Sequence, residues 1–179
     1  QFEMLDLLGY HDEWLQLIAR LRARDQKKLC GGRSLVGGWK SSWRLLSHRA
    51  FMPLLQQATS CFREVLQESG ASENIPFQLN GSVNWSEKYS FNTQHGHAQC
   101  LLSGVYYLTV PERSGDILFH EPRAGAKYSP LRTGSVLSSD PVAITPKPGE
   151  LYIFPAWLEH SVGQSHSDED RISIPINAV

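Results

Sequence analysis

Cysteine is scarce in this chain. Cys30, Cys61 and Cys100 are odd in number, scattered and in no C-x-x-C pair, which argues against a disulfide framework and a thiolate zinc site and points to a reducing cytoplasm. A surplus of one charge is missing too: 17 lysines and arginines stand against 18 aspartates and glutamates, a net charge of -1. No basic footprint for nucleic acid or an anionic membrane is present, so neither is an expected partner. Long apolar runs are also lacking. The longest, around Leu101 to Val110, is interrupted by Ser103 and Gly104, far short of the ~20 residues that span a bilayer. Residues Gln1 to Leu8 are acidic and lack a hydrophobic signal core, and a chain beginning at Gln1 is expected to continue upstream.

What is present suits one domain with a sizeable core, since 179 residues are few for two. Trp14, Leu15, Leu17, Ile18 and Leu21 follow helical spacing and predict a helix from Glu13 to Leu29 with Asp12 as its N-cap. Leu54, Leu55, Ala58, Phe62, Val65 and Leu66 predict a second from Met52 to Ser69, with Pro53 in the first turn and Gly70 as the stop. The glycine-rich stretch Gly31 to Ser42 reads as a loop pinned by Trp39 and Trp43. From Phe77 onward short β-rich runs alternate with glycine, proline and asparagine: Phe77 to Trp85, Leu101 to Val110, Asp116 to His120, Ala143 to Ile144, Glu150 to Phe154 and Arg171 to Ile176. No helical pattern separates them, which excludes βαβ units and predicts an α+β, mainly β chain. The expected organisation is helical support over residues 1–75 and a jelly-roll core over 76–179. The segment Pro122 to Pro148 is too long for an ordinary connection and is a candidate lid.

The chemistry concentrates in two places. His95 and His97 flank Gly96, and in an extended strand they would share a face. A third histidine, His160, follows the run Leu151 to Phe154 and the turn at Pro155. Neutral imidazoles suit iron, zinc, copper and nickel. His11, His48, His120 and His166 read as surface or hydrogen-bonded residues, and Cys100 as a small packed residue rather than a ligand. On the last strand Arg171 and Ser173 point to one side, while Ile172, Ile174 and Ile176 point to the other, under the helices. An inward arginine needs an anion, since an unpaired buried charge is costly. A small dicarboxylate held bidentately is one answer, and an internal pair with Glu150 or Asp116 is the other.

In their order, His95-x-His97, SGVYYL at Ser103 to Leu108, SGDILF at Ser114 to Phe119, the run from Phe154 to Val162 and Arg171-x-Ser173 resemble the Fe(II)- and 2-oxoglutarate-dependent dioxygenases. Closest is the prolyl-hydroxylase-like branch, in the family whose members carry H-x-H before SGVYYL. The resemblance covers about half the chain, roughly Asn84 to Asn177. It implies a double-stranded β-helix (jelly roll) core, a C–H hydroxylase, and Fe(II), 2-oxoglutarate and O2 as cofactors, with ascorbate as an optional reductant. By position, His95 and His160 would match metal histidines. Arg171 with Ser173 would grip the far carboxylate of 2-oxoglutarate, with succinate and CO2 released, and Tyr107 would hydrogen-bond the same carboxylate while Tyr106 packs in the core. Arg123 is expected near the site mouth.

One departure stands out. The family's usual third ligand is a carboxylate two residues after the first histidine, and here that residue is His97. Either His97 completes a three-histidine set, or two histidines bind with a water, or the register shifts so that His97 is first and Gln99 second. Glu159 would point away, and a halogenase-like site is disfavoured because histidine fills the space a halide needs. Two other function classes compete: a three-histidine metal cupin, enzyme or sensor, that ignores 2-oxoglutarate, and a non-catalytic jelly-roll binding module. The substrate is expected to be a small molecule or a peptide or protein side chain, and an oligomer is left open.

Overall fold

The computed structural model describes residues 1–25, 34–42, 44–128 and 140–179. Cys30, Trp43, the predicted helix end near Leu29 and the centre of the Pro122 to Pro148 segment lie outside the described residues.

Two α-helices carry the predicted amphipathic faces. The first, α1 (His11–Arg24), starts slightly earlier than its pattern, with Tyr10 at the N-cap and Asp12 inside the first turn. It buries Trp14 and Ile18. The second, α2 (Met52–Glu68), has Pro53 in its first turn, where the missing N–H costs no helical hydrogen bond. Its Leu54, Ala58, Phe62 and Leu66 join Trp14 and Ile18 in the main apolar cluster.

Twelve strands follow in the described residues: β1 (Phe2–Glu3), β2 (Leu35–Val36), β3 (Trp39–Lys40), β4 (Leu79–Gly81), β5 (Asn84–Ser86), β6 (Phe91–His95), β7 (Leu102–Thr109), β8 (Ile117–Phe119), β9 (Val142–Ile144), β10 (Glu150–Pro155), β11 (His160–Val162) and β12 (Arg171–Ala178). They form two antiparallel sheets. The larger runs β1-β10-β7-β12-β5-β3, with β4 also on β12, and the smaller runs β2-β6-β11-β8-β9. This is the jelly-roll architecture expected from the short β runs, with helices on one side.

The predicted run Phe77 to Trp85 is two strands rather than one. β4 pairs the end of β12 and β5 pairs its beginning. Between them the Ser82 N–H donates to the Pro175 carbonyl at 3.2 Å. Pro175 has no N–H to return, so the ladder breaks there. The presumed loop Gly31 to Ser42 contains β2 and β3, which lie at the edges of different sheets. The chain crosses between them at Gly37 and Gly38. At Gly38 φ is +73°, and a Cβ would lie 2.1 Å from the Trp85 carbonyl oxygen, so only glycine fits the crossing.

Alternation along β12 and β7 separates core from cavity. Ile172, Ile174, Ile176, Tyr106 and Leu108 join the helical cluster, and the Tyr106 hydroxyl meets His11 Nε2 at 2.8 Å. Gly104 lies on this helix-facing side, where a Cβ would meet the Tyr152 carbonyl at 2.7 Å and Phe62 at 3.0 Å, so its lack of a side chain lets α2 approach. The opposite face, with Val105, Tyr107, Arg171 and Ser173, looks across to the smaller sheet. Among the described residues no helix is long and apolar enough to cross a membrane.

Candidate functional site

A cavity lies between the two sheets. The larger sheet supplies Lys40, Asn84, Tyr107, Phe154, Arg171 and Ser173. The smaller supplies Asn92, His95, Ile117, His160 and Val162.

Strand register brings the first two histidines together: His95 ends β6, His160 begins β11, and the two are direct partners in the antiparallel ladder. Their ring centroids are 4.3 Å apart. His97 reaches the same place by another route than strand alternation. β6 ends at His95, and beyond it the His97 N–H donates to the Ala156 carbonyl at 2.8 Å. That bond folds the chain back, so the His97 ring lies 5.1 Å from His95 and 5.2 Å from His160. One ring nitrogen from each imidazole lies within 4.8 Å of the others, the geometry of a candidate metal centre.

Backbone carbonyls orient two of these rings. His95 Nδ1 donates to the Thr93 carbonyl at 2.8 Å, and His160 Nδ1 to that of Leu158 at 3.0 Å. A carbonyl only accepts, so Nδ1 carries the proton in both rings and Nε2 keeps its lone pair. Burial holds His97 and His160 down to about 4, reinforced by neighbouring rings and, at His97, by the Lys40 charge. His95 is lowered by burial as well. All three are therefore unprotonated at neutral pH, as metal ligation requires. Gln99 and Glu159 are exposed, and Glu159 accepts from Gln94 at 2.6 Å. Glu159 stands outside the three-histidine group.

Arg171 is 2% exposed. Its Nη1 donates to the Gly115 carbonyl at 2.9 Å, while Nε is buried with no partner. Glu150 instead accepts from the Tyr152 hydroxyl at 2.8 Å and the Lys147 N–H at 2.7 Å, and Asp116 from Thr145 at 2.7 Å. The internal ion pairs weighed for Arg171 are not formed among the described residues. Ser173 and Tyr107 are direct cross-strand partners beside it. Burial pushes the Tyr107 phenol up to about 12, so it stays a hydrogen-bond donor. A small cavity with a buried guanidinium, a hydroxyl and a phenol at one wall and three neutral imidazoles at the other fits a metal ion together with a dicarboxylate.

A family model described as "Putative 2OG-Fe(II) oxygenase" matches residues 83–177. The chain belongs to that family. Its 2-oxoglutarate and iron are the two groups the cavity suits. Several solved structures share the fold. The epimerase SnoN of nogalamycin biosynthesis, described as non-heme and alpha ketoglutarate dependent, superposes with a TM-score of 0.68 at 19% identity, over 96% of this chain and 74% of that one. A Pseudomonas putida prolyl-4-hydroxylase gives 0.66 at 14% identity, over 99% and 89%. HygX from Streptomyces hygroscopicus, solved with nickel and 2-oxoglutarate bound, gives 0.65 at 13%, over 96% and 78%. At such identities the likeness carries the fold. No curated protein matches the chain.

The remaining expectations divide. Cys100 sits outside the histidine cluster, its sulfur 3.9 Å from the Ala98 carbonyl. Arg123 is exposed and pairs with Glu121 at 2.8 Å instead of facing the cavity. His48 caps the turn before α2, and His120 bonds Ser161. Lys40, Asn84 and Asn92 line the cavity and were not singled out by sequence reasoning. The two-residue strand β3 leaves no period in the sequence by which Lys40 could have been placed there.

Proposed function

We propose that this oxygenase hydroxylates a C–H bond of its substrate, with His95, His97 and His160 holding Fe(II) and Arg171, Ser173 and Tyr107 holding the far carboxylate of 2-oxoglutarate. The observation that carries the reading is the buried Arg171 guanidinium with an unpartnered Nε, in the same cavity as the three imidazoles. Iron with 2-oxoglutarate supplies, when bound, the oxidative step that splits O2 between succinate formation, with loss of CO2, and the substrate hydroxyl.

The chain's part is to bind, orient and keep water out. Arg171 offers two parallel N–H donors to a carboxylate, the fork geometry that fixes both position and direction. Tyr107, held protonated, and Ser173 add O–H donors from the adjoining strands. Phe154, Ile117 and Val162 line the same cavity with apolar surface, which excludes water around the reacting groups. Three neutral imidazoles leave the full charge of a divalent ion uncompensated, which strengthens its hold on an anionic cofactor. Family membership and Arg171 both favour this reading over the three-histidine cupin and over a non-catalytic jelly-roll module, neither of which calls for an inward cation on β12.

The test is O2-dependent formation of succinate from 2-oxoglutarate by the Fe(II)-loaded protein with ascorbate, followed by NMR, beside binding of 2-oxoglutarate to the Zn(II)-loaded protein. Succinate that disappears in His160→Ala supports the proposal. A protein that holds metal tightly yet neither binds nor consumes 2-oxoglutarate overturns it in favour of the cupin.

A further inference from the structure

A β-bulge aims an asparagine at the cavity. His160 and Val162 on β11 stand two positions apart and face the same way, but their partners on β6, His95 and Asn92, stand three apart. The extra residue on β6 reverses the alternation. Asn92 therefore shares the cavity face with His95, where a regular strand would turn it away. Asn92 is 5% exposed. Its Nδ2 donates to Ser34 Oγ at 3.3 Å, and its Oδ1 is buried with no hydrogen-bond partner. The larger sheet presents a matching group. Asn84 on β5 is the cross-strand partner of Ser173, lines the same cavity, and also keeps its Oδ1 buried without a partner.

Two buried carbonyl oxygens in one cavity call for two N–H or O–H donors. 2-Oxoglutarate cannot supply them, because at neutral pH its carboxylates and its ketone only accept. The substrate is left as the source. Since the two oxygens belong to opposite sheets, a molecule that meets both reaches from one sheet to the other. Charge narrows the choice of donor. Among the described residues no aspartate or glutamate lines the cavity, so an ammonium would enter beside a divalent ion and the Arg171 guanidinium with no carboxylate side chain to meet it. A carboxamide or peptide brings a carbonyl with each N–H, a further group to be paired in the same space. A hydroxyl donates without that burden.

We infer that the primary substrate is a neutral polyol, with one hydroxyl donating to Asn84 Oδ1 on the larger sheet and a second donating to Asn92 Oδ1 on the smaller. The inference rests on the oxygenase reading above and names the substrate class of that same site. Phe154, Ile117 and Val162 offer apolar surface to the carbon skeleton between the hydroxyls.

The test uses the Zn(II)-loaded protein with saturating 2-oxoglutarate. The probes are alditols, cyclitols and methyl glycosides, beside their monodeoxy derivatives, the aldonic acids and the amino sugars, read by saturation-transfer NMR and then titrated. At least one neutral polyol binds, and more tightly than its acidic or amino counterpart. On wild type, two different hydroxyls of that polyol are each worth about tenfold. Asn84→Leu and Asn92→Leu each weaken it by about tenfold or more, and the deoxy form missing the hydroxyl that a variant has orphaned binds that variant no worse than the parent polyol does. Zn(II) and 2-oxoglutarate affinities stay within about twofold of wild type in both variants. An acid or amine that binds best, deoxy forms that bind wild type as well as the parent, variants that bind the polyol like wild type, or variants that lose Zn(II) or 2-oxoglutarate as much as the polyol would overturn the inference. So would a protein that takes up 2-oxoglutarate and none of the probes. A wild-type protein that fails to take up 2-oxoglutarate sinks the oxygenase reading itself, and this inference with it.

Discussion

Replacing Arg171 with methionine should separate stability from function in an unusual direction. The guanidinium is buried, makes one hydrogen bond to the Gly115 carbonyl and leaves Nε without a partner. Burying an ion costs several kcal/mol, while a charge-assisted hydrogen bond returns only about 1.5–3 kcal/mol. Methionine keeps an unbranched, adaptable stem in the same space. The ligand-free Arg171→Met protein should therefore be as stable as wild type within about 1 kcal/mol, or more stable. Binding should behave oppositely. Loss of one partner of a buried charge pair costs about 3–5 kcal/mol, so 2-oxoglutarate affinity should fall by roughly 10²- to 10³-fold or more. At 100 times its dissociation constant the ligand adds about 2.7 kcal/mol to wild type, and that increment should vanish in the variant. Urea unfolding of the Zn(II)-loaded proteins, with and without 2-oxoglutarate, reads both effects. A variant that loses about 3 kcal/mol without ligand and keeps the wild-type response to it would refute the reasoning, because Arg171 would then be structural.

Other residues carry their own expectations. His97→Ala should weaken metal binding by more than the about 10- to 100-fold typical of losing an outer-shell partner, while His97→Asp should retain the metal; Co(II) titration distinguishes them, and an unaffected His97→Ala would exclude it from the ligand set. In the metal-free protein, unfolded histidines titrate near 6.5 while folded His97 and His160 wait until about 4. Stability is thus complete above about 6.5 and declines as pH falls toward about 4, with His160 alone accounting for up to about 3 kcal/mol; urea midpoints against pH should show a shallower decline in His160→Ala, and an unchanged slope would contradict the burial argument. Tyr106→Phe, which strands His11 in the core, should cost about 1 kcal/mol of stability and leave 2-oxoglutarate binding intact, whereas Tyr107→Phe should do the reverse. Gly104→Ala forces a Cβ to within 2.7 Å of the Tyr152 carbonyl and should destabilise by about 1–3 kcal/mol in thermal melts.

The parts of the fold legible in the sequence were those with enough residues to express a period. α1 and α2 each present several turns of apolar stripe, and β7, β10 and β12 are long enough for alternation to separate Tyr106 from Tyr107 and Ile172 from Arg171. β2 and β3 hold two residues each, too few for any pattern. Long-range pairing to β6 and β5 makes them strands, and so Lys40 was invisible as a cavity residue. The His95 and His97 pairing was legible as a motif but not in its cause, because strand alternation ends at His95 and a backbone hydrogen bond to Ala156 takes over. Asn84 and Asn92, the first residue of β5 and the second of β6, were hidden for a similar reason, since an asparagine near the start of a strand reads as turn chemistry until its neighbours across the sheet are known.

The central claim is tested most directly by adding 2-oxoglutarate anaerobically to the Fe(II)-loaded protein and recording the visible metal-to-ligand charge-transfer band. The account predicts a band in wild type that is lost in His160→Ala and needs far more 2-oxoglutarate in Arg171→Met. A wild-type protein that binds Fe(II) and shows no band at saturating 2-oxoglutarate would contradict it.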